Sequence, residues 1–201
     1  MDGEIVDIPI LQQYVEQHMT AYRFKHTLGV VETAKDLAVI YGVDSDKVTI
    51  AALFHDIAKE FTSTKKREFC LEHNIAVDDF LSQNIHLIHG DIAAYIAKEE
   101  YNIEDEDILN AIINHTLGSH NMSDLEKVIY IADIIEPNRK NHLELNNLRR
   151  IAYMDLNKAM LFALNYTINY LNATEKNVHP IIYSILEEYT KADMEGLNEG
   201  I

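Results

Sequence analysis

The amino-acid sequence predicts an all-α protein, and its glycines, prolines and apolar spacing support this prediction. Only 7 glycines and 3 prolines occur among 201 residues. Most of them fall where segments of helical periodicity begin or end. These boundary residues are Pro9, Gly42, Gly90, Gly118, Pro137 and Pro180. No segment shows the sustained alternation of apolar and polar residues that is typical of a half-exposed strand. We therefore expect a helical bundle.

Five helices are predicted in the first half of the chain. The first covers about residues 9–19 and the second about residues 22–41, where Gly42 ends it. The third is expected over residues 45–60 and includes His55 and Asp56. Two shorter helices are expected over residues 64–73 and 79–82.

The second half of the chain is predicted to be helical as well. Helices are expected over residues 89–100, 105–115, 123–136, 145–171 and 180–192. Ser123 and Glu126 match a capping box, which marks the start of the third of these. In the long segment 145–171, a break is expected near Asp155. With no repeats or linkers, we expect a single domain over residues 1–201.

Composition and charge exclude several classes of protein. The net charge of −16 at pH 7 argues against a nucleic-acid binder, which needs a basic surface. No apolar run reaches 18 residues, so no membrane span is expected. The N-terminus, MDGEIVDIPI, lacks the basic-then-apolar order of a signal peptide. Because Cys70 is the lone cysteine, no internal disulfide is possible, and we expect a cytoplasmic protein.

A spaced series of imidazoles and carboxylates is the main functional signal. Its members are His26, His55, Asp56, His89, His115 and Asp133. His55 and Asp56 lie in the apolar stretch VTIAALFHDIAKEF, where burial costs several kcal/mol unless each group finds a strong partner. Helical spacing places His26, His115 and Asp133 on the apolar faces of other helices. Inward-facing ligands on separate helices are how a helical bundle builds a metal site.

Each of these residues also has an ordinary interpretation. A single inward histidine is more often a satisfied core residue, and Asp133 alone fits a salt bridge or a helix-dipole contact. The joint pattern favours metal, since one or two shared ions satisfy every group at once. Imidazoles and carboxylates without a thiolate favour iron(II), manganese or zinc, and open coordination positions suggest the activation of water.

The series resembles the HD-domain metal-dependent phosphohydrolases. The resemblance covers about residues 20–185 and is greatest to the YqeK-type branch, the symmetrical diadenosine tetraphosphatases of bacteria. The motifs that carry it are YRFKHTLGVVETAKDLAVIYGVD, AALFHDIAKE, LIHGDIAAYIAKEEY, IINHTLGSHNMSDLEKVIYIADIIEPNR and VHPIIYS. It implies an HD-domain helical bundle with an iron centre in its core and hydrolysis of diadenosine tetraphosphate to two ADP. The bundle core would lie at about residues 20–137, with helices at about 145–192 completing a nucleotide pocket.

Site roles follow from the resemblance residue by residue. It implies that the metal ligands are His26, His55, Asp56 and Asp133. His89 and His115 resemble either ligands of a second metal or donors to the substrate phosphates, and both are expected to serve catalysis with Asp56 and Arg139. Further substrate contacts are implied for Arg23, Thr116, Asp133, Arg139, Lys176, Asn177, Val178, His179, Pro180 and Ile181.

Some roles and functions stay open at this point. On spacing alone, Arg139 could be a helix C-terminal cation and Arg23 a surface residue. Lys59 could reach the pocket or extend to solvent. The expected partner is a dinucleoside polyphosphate or a purine nucleoside diphosphate, and exposed apolar positions on the first helix permit a homodimer. The alternatives are a mononucleotide phosphohydrolase of the same type and a metal-loaded nucleotide sensor without turnover.

Overall fold

Helices account for every regular element of the residues that the computed structural model describes, 7–140 and 142–199, with side chains described as far as Glu195. Residues 1–6, which carried the argument against a signal peptide, lie outside these ranges. The helices are α1 (Ile8–His18), α2 (Ala21–Tyr41), α3 (Ser45–Phe54), α4 (Ser63–Glu72), α5 (Asp79–Gln83), α6 (His89–Tyr101), α7 (Glu106–Asn114), α8 (Asp124–Ile135), α9 (Leu143–Ala152), α10 (Leu156–Ala173) and α11 (Pro180–Glu199). A short 3₁₀ helix, Ile85–Ile88, leads directly into α6. The all-α prediction is confirmed.

Side-chain caps fix several of the helix starts that the sequence predicted. Ser123 and Glu126 form the expected capping box at α8, each bonding the other's backbone. Asp155 interrupts the predicted helix 145–171: its carboxylate accepts from the backbone N–H of Lys158, 2.9 Å away, and so starts α10. The break near Asp155 is therefore confirmed.

The predicted helix over residues 45–60 is wrong at its C-terminal end. The helix stops at Phe54, and residues 55–60 form consecutive tight turns. The buried ammonium of Lys66 donates to the carbonyls of Lys59 and Phe61, both 2.8 Å away. Because these bonds satisfy carbonyls after the helix, the chain can leave helical geometry and turn Asp56 toward the protein interior.

The core of the bundle lies where α2, α3, α7 and α8 meet. Helix α2 packs against α3 and α8, while α7 packs against α3, α6 and α8. Small side chains such as Ala34, Ala51, Ala52 and Ala132 are fully buried at these contacts and let the helices approach closely. Helices α9, α10 and α11 pack beyond α8. Among the described residues, no helix combines the length and apolar character needed to cross a membrane.

Candidate metal centre

Four histidines and two aspartates converge at this helical junction. Helix α2 supplies His26, the turn after α3 supplies His55 and Asp56, and α8 supplies Asp133. His89 is the first residue of α6, and His115 directly follows α7. All are buried except Asp133, whose side chain is 19% exposed and therefore marks the side open to solvent.

Asp56 lies at the centre and divides the other residues into two groups. Its Oδ2 atom is 3.6 Å from Nε2 of His26 and 3.5 Å from Nε2 of His55. Its Oδ1 atom is 3.2 Å from Nε2 of His89 and 3.7 Å from Nε2 of His115. One carboxylate oxygen thus faces each histidine pair, which is the arrangement of a bridging ligand.

Asp133 belongs with the first pair. Its Oδ1 atom lies 3.0 Å from Nε2 of His26 and 4.0 Å from Nε2 of His55. We call His26, His55 and Asp133 the first ligand group, and His89 and His115 the second ligand group, with Asp56 shared. In each histidine pair together with Asp56, one ligand atom per residue lies within 4.8 Å of the others, which is close enough to surround one ion.

Every histidine of the two groups directs Nε2 inward because its Nδ1 is already bonded. The Nδ1–H groups of His55, His89 and His115 donate to carbonyls three residues earlier, at 2.6, 2.9 and 2.7 Å. The Nδ1–H of His26 donates to Oε1 of Glu136, 3.1 Å away. Since these acceptors carry no proton, each imidazole presents an Nε2 lone pair to the centre, as metal-binding histidines do.

Unsatisfied buried atoms show that the residues fit a divalent metal ion. Nε2 of His26, Nε2 of His55 and Oδ1 of Asp56 are buried and make no hydrogen bond. Leaving such atoms without a partner costs about 1–3 kcal/mol each, and more when the group is charged. A divalent ion bound between them would satisfy all three at once.

The pKa shifts of these side chains also favour metal binding. Burial alone would raise the pKa of Asp56, but the neighbouring His55, His115 and His89 hold it well below its ordinary value. Asp133 behaves similarly, with His26 and His55 lowering its pKa against the effect of burial. Burial lowers the pKa of His89 to about 3. The carboxylates are therefore ionised and His89 is neutral at pH 7, which are the forms that bind metal.

Three cationic side chains surround the opening of the centre. Arg23 donates to Oδ2 of Asp56 at 2.6 Å, and Arg139 donates to Oδ1 of Asp133 at 2.8 Å. Nζ of Lys59 lies 3.0 Å from Nε2 of His89. All three side chains are partly exposed, so they can meet both the buried carboxylates and a bound anion. Of the two possibilities for Lys59, the structure favours the pocket.

Thr116 and Gly90 shape the second ligand group. Oγ1 of Thr116 is 3.0 Å from Nε2 of His115 and 3.3 Å from Nε2 of His89. A Cβ atom on Gly90 would lie only 2.8 and 2.9 Å from backbone carbonyls of α7. Glycine is required here because α6 must approach α7 closely for the Nε2 atoms of His89 and His115 to lie 3.0 Å apart.

The expected substrate loop, residues 176–181, lies along α5. Nε2 of His179 is 3.6 Å from Oδ2 of Asp78, and its ring packs edge-on against Phe80. Asp78 is the N-cap residue of α5, and α5 packs against the 3₁₀ helix Ile85–Ile88 that leads to His89. The loop is thus connected through α5 to the side of the second ligand group.

Sequence reasoning missed Glu136 and Lys66. Glu136 shares a helical face with Asp133, a pattern that shows it faces inward but not which ring it contacts. Lys66 lies in a polar segment, STKKREF, whose composition suggests a solvated helix, yet it is only 3% exposed. Glu136 contacts the ring of the distant His26, and Lys66 bonds carbonyls of non-helical turns. Helical periodicity reveals neither contact.

Known proteins resemble this chain in sequence and in fold. The sequence profile of the HD domain matches residues 23–138. A symmetrical bis(5'-nucleosyl)-tetraphosphatase of Halalkalibacterium halodurans is 42% identical over 168 residues, which cover 84% of this chain and 89% of the relative. An enzyme of the same name from Bacillus subtilis is 39% identical, over 83% of this chain and 88% of the relative.

A solved structure shares the fold at high similarity. It is a predicted HD superfamily hydrolase involved in NAD metabolism from Clostridium acetobutylicum, with a TM-score of 0.88 and 38% identity. The match covers 92% of this chain and 98% of that one. The chain belongs to the HD-domain family and, within it, to the family of the symmetrical bis(5'-nucleosyl)-tetraphosphatases.

Proposed function

We propose that this protein hydrolyses diadenosine tetraphosphate symmetrically, giving two molecules of ADP. The observation that carries the proposal is the buried Asp56, which faces a histidine pair with each of its oxygens, beneath a rim of three cations. Metal ligands in the interior and cations at the opening suit a substrate with a long anionic chain. The relatives from Halalkalibacterium halodurans and Bacillus subtilis are named symmetrical bis(5'-nucleosyl)-tetraphosphatases, which supports symmetrical cleavage of a dinucleoside tetraphosphate.

The proposed cofactor is a pair of divalent ions, with iron(II) expected and manganese or zinc as alternatives. His26, His55, Asp56 and Asp133 would hold one ion, and Asp56, His89 and His115 the other. What such ions supply is Lewis acidity and the activation of water at neutral pH. Two ions are favoured over one because each oxygen of Asp56 faces its own pair of Nε2 atoms.

In this reaction, cationic side chains of the protein bind the tetraphosphate and stabilise its negative charge. Water attacks one of the two central phosphorus atoms, and the bond from that phosphorus to the central bridging oxygen breaks. The bridging oxygen leaves with the second ADP and carries the new negative charge. Arg139 and Arg23 can each hold a phosphate through two parallel N–H donors, and Lys59 adds a point charge. These local cations let a protein of net charge −16 bind a polyanion.

The substrate's nucleoside is proposed to contact the loop after α10. Lys176, Asn177, Val178, His179, Pro180 and Ile181 would surround a base or ribose. The contacts of His179 with Asp78 and Phe80 support this, because α5 packs against the 3₁₀ helix that leads to His89. The buried free thiol of Cys70 fits a reducing cytoplasm, where we propose that the enzyme works. A homodimer is part of the same proposal.

The test is anaerobic purification with metal analysis, followed by chromatography of the products from diadenosine tetraphosphate. Two ADP per molecule, with divalent metal in the purified protein, is the expected result. ATP with AMP would contradict symmetrical cleavage. Phosphate released from mononucleotides, with the dinucleotide left intact, would favour the mononucleotide phosphohydrolase. Binding of the dinucleotide without turnover would favour the sensor.

A further inference from the structure

His26 is held differently from the other three histidines of the centre. His55, His89 and His115 follow or begin helices, and each bonds a carbonyl three residues before it. His26 lies within α2, where the helix uses its own carbonyls. Its Nδ1–H therefore needs an acceptor from elsewhere, and it donates to a carboxylate 110 residues away in sequence, that of Glu136.

Glu136 is fixed by the turn that follows α8. Its side chain is only 2% exposed. While Oε1 accepts from His26, Oε2 accepts from the backbone N–H of Asn138 at 2.6 Å and from the side-chain amide of Asn138 at 2.9 Å. The carboxylate thus receives three N–H donors and has little freedom to move.

Gly29 provides the space that this carboxylate occupies. It lies one turn after His26 on α2, and a Cβ atom there would collide with Oε2 of Glu136. The same Cβ would lie 2.8 Å from Nδ2 of Asn138. Since an ordinary helix position favours alanine over glycine, the glycine is accounted for by the close approach of Glu136.

We infer that Glu136 is a positioning residue for His26, seated by Gly29 and Asn138, and that it strengthens metal binding by the first ligand group. The inference rests on the metal centre of the proposed function. The carboxylate fixes the proton on Nδ1, so Nε2 keeps its lone pair, and its negative charge makes the imidazole a stronger ligand. Glu136 reaches the metal ligands through His26, its Oε1 also lies 3.9 Å from Nε of Arg139, and it stands outside the expected ligands and substrate contacts.

The first experiment compares Glu136→Gln with the intact protein by titrating metal-free protein with Co²⁺, whose visible absorption reports the ligands. A glutamine has one oxygen for three donors. If its oxygen faces Asn138, its NH₂ group faces His26 and favours the tautomer that cannot bind metal through Nε2. We expect Co²⁺ affinity of the tighter site to fall about 10–100-fold, with the second site and the far-UV circular dichroism unchanged.

A matched control removes the same charge from a position outside the centre. Glu32 lies on α2 and is exposed, so Glu32→Gln changes the net charge equally without touching the centre. We expect its Co²⁺ titration to match that of the intact protein. An equal loss in both variants would mean that long-range charge, and not contact with His26, is responsible, and would overturn the inference.

Gly29→Ala tests the close approach of Glu136 to α2. We expect Gly29→Ala to weaken Co²⁺ binding, as Glu136→Gln does. In the double variant the second change should add little, because both substitutions disrupt the same contact between Glu136 and His26. Full additivity would contradict the shared mechanism. If the intact protein binds Co²⁺ and Glu136→Gln binds it equally well, the inference fails alone. If the intact protein binds none, the metal centre fails with it.

Discussion

The two ligand groups of the centre both use histidines, yet they differ in the number of carboxylates around them. The first group, His26, His55 and Asp133, includes a carboxylate and is supported by a second one, Glu136. The second group, His89 and His115, is supported by backbone carbonyls and lies beside the ammonium of Lys59. From this difference we expect the first group to hold a cation tightly and the second to share its position with phosphate.

The pKa shifts follow the same division. Burial lowers the pKa of His26, but Asp133 and Glu136 outweigh that effect and raise it. Burial lowers the pKa of His89 to about 3, and Lys59 and His115 add to that shift. An imidazole surrounded by carboxylates has an increased affinity for positive charge, while one beside an ammonium has a reduced affinity. We therefore expect the first group to bind a cation more tightly than the second.

The largest effect is expected where the two groups join. Asp56→Ala removes the carboxylate that faces both histidine pairs, so we expect diadenosine tetraphosphate turnover to fall by at least about 10³-fold. Metal content should drop sharply while helical circular dichroism stays intact. The control is Asp46→Ala, which changes an exposed carboxylate of α3. Activity within a few-fold of the intact enzyme in Asp56→Ala would refute the scheme.

The next largest effect separates the groups. We expect His26→Ala to lose the tightly held ion and most activity, because the first group then keeps only His55 and the carboxylates. His115→Ala should keep one tightly held ion and lose activity by about 10²-fold. Metal analysis of both purified proteins after the same dialysis is the measurement. Equal metal loss in the two variants would mean that the groups do not differ.

Gly90→Ala should disturb the second group alone. Its Cβ would press against the carbonyls of Ile112 and Ile113, so α6 must move away from α7. We expect a loss of about 1–3 kcal/mol in the free energy of unfolding and weaker binding of the second ion. Thermal unfolding with and without added metal measures both. A more stable variant, as Gly→Ala gives in an unobstructed helix, would show that the helices are not in close contact.

A smaller effect is expected for the cation above the first group. Arg139→Lys keeps the charge but loses the paired donors, so kcat/KM should fall about 10-fold while bound metal is unchanged. Steady-state kinetics with metal analysis test this. The comparison is with Arg150→Lys on α9, which is exposed. A loss of metal in Arg139→Lys would mean that Arg139 supports the metal ligands and does not bind the substrate.

The smallest effect is expected in the C-terminal loop. His179→Ala should remove the contacts of this loop with Asp78 and Phe80. We expect KM to rise about 2- to 10-fold, which corresponds to the net free energy of roughly one hydrogen bond. The kcat and the metal content should be nearly unchanged. A change in kcat without a change in KM would place the loop outside the nucleoside pocket.

Local patterns in the sequence were enough to predict the helical fold and most of the helix boundaries. Periodicity, glycine and proline are local signals, and helix formation responds to them locally. The same periodicity indicated that His26, His115 and Asp133 face inward. It failed at residues 55–60, which form turns after the helix ends at Phe54, and a buried lysine outside the segment bonds the carbonyls of Lys59 and Phe61 there.

The grouping of these residues follows from the packing of helices that are far apart in sequence. Which oxygen of Asp56 faces which histidine pair, and which carboxylate supports His26, depends on the packing of α2, α6, α7 and α8. Gly29 and Gly90 permit the close approaches, but a glycine in a sequence does not show what will fill its space. The physical reason is that metal-type chemistry depends on distances of a few ångströms between residues far apart in the chain, and only the packed helices set those distances.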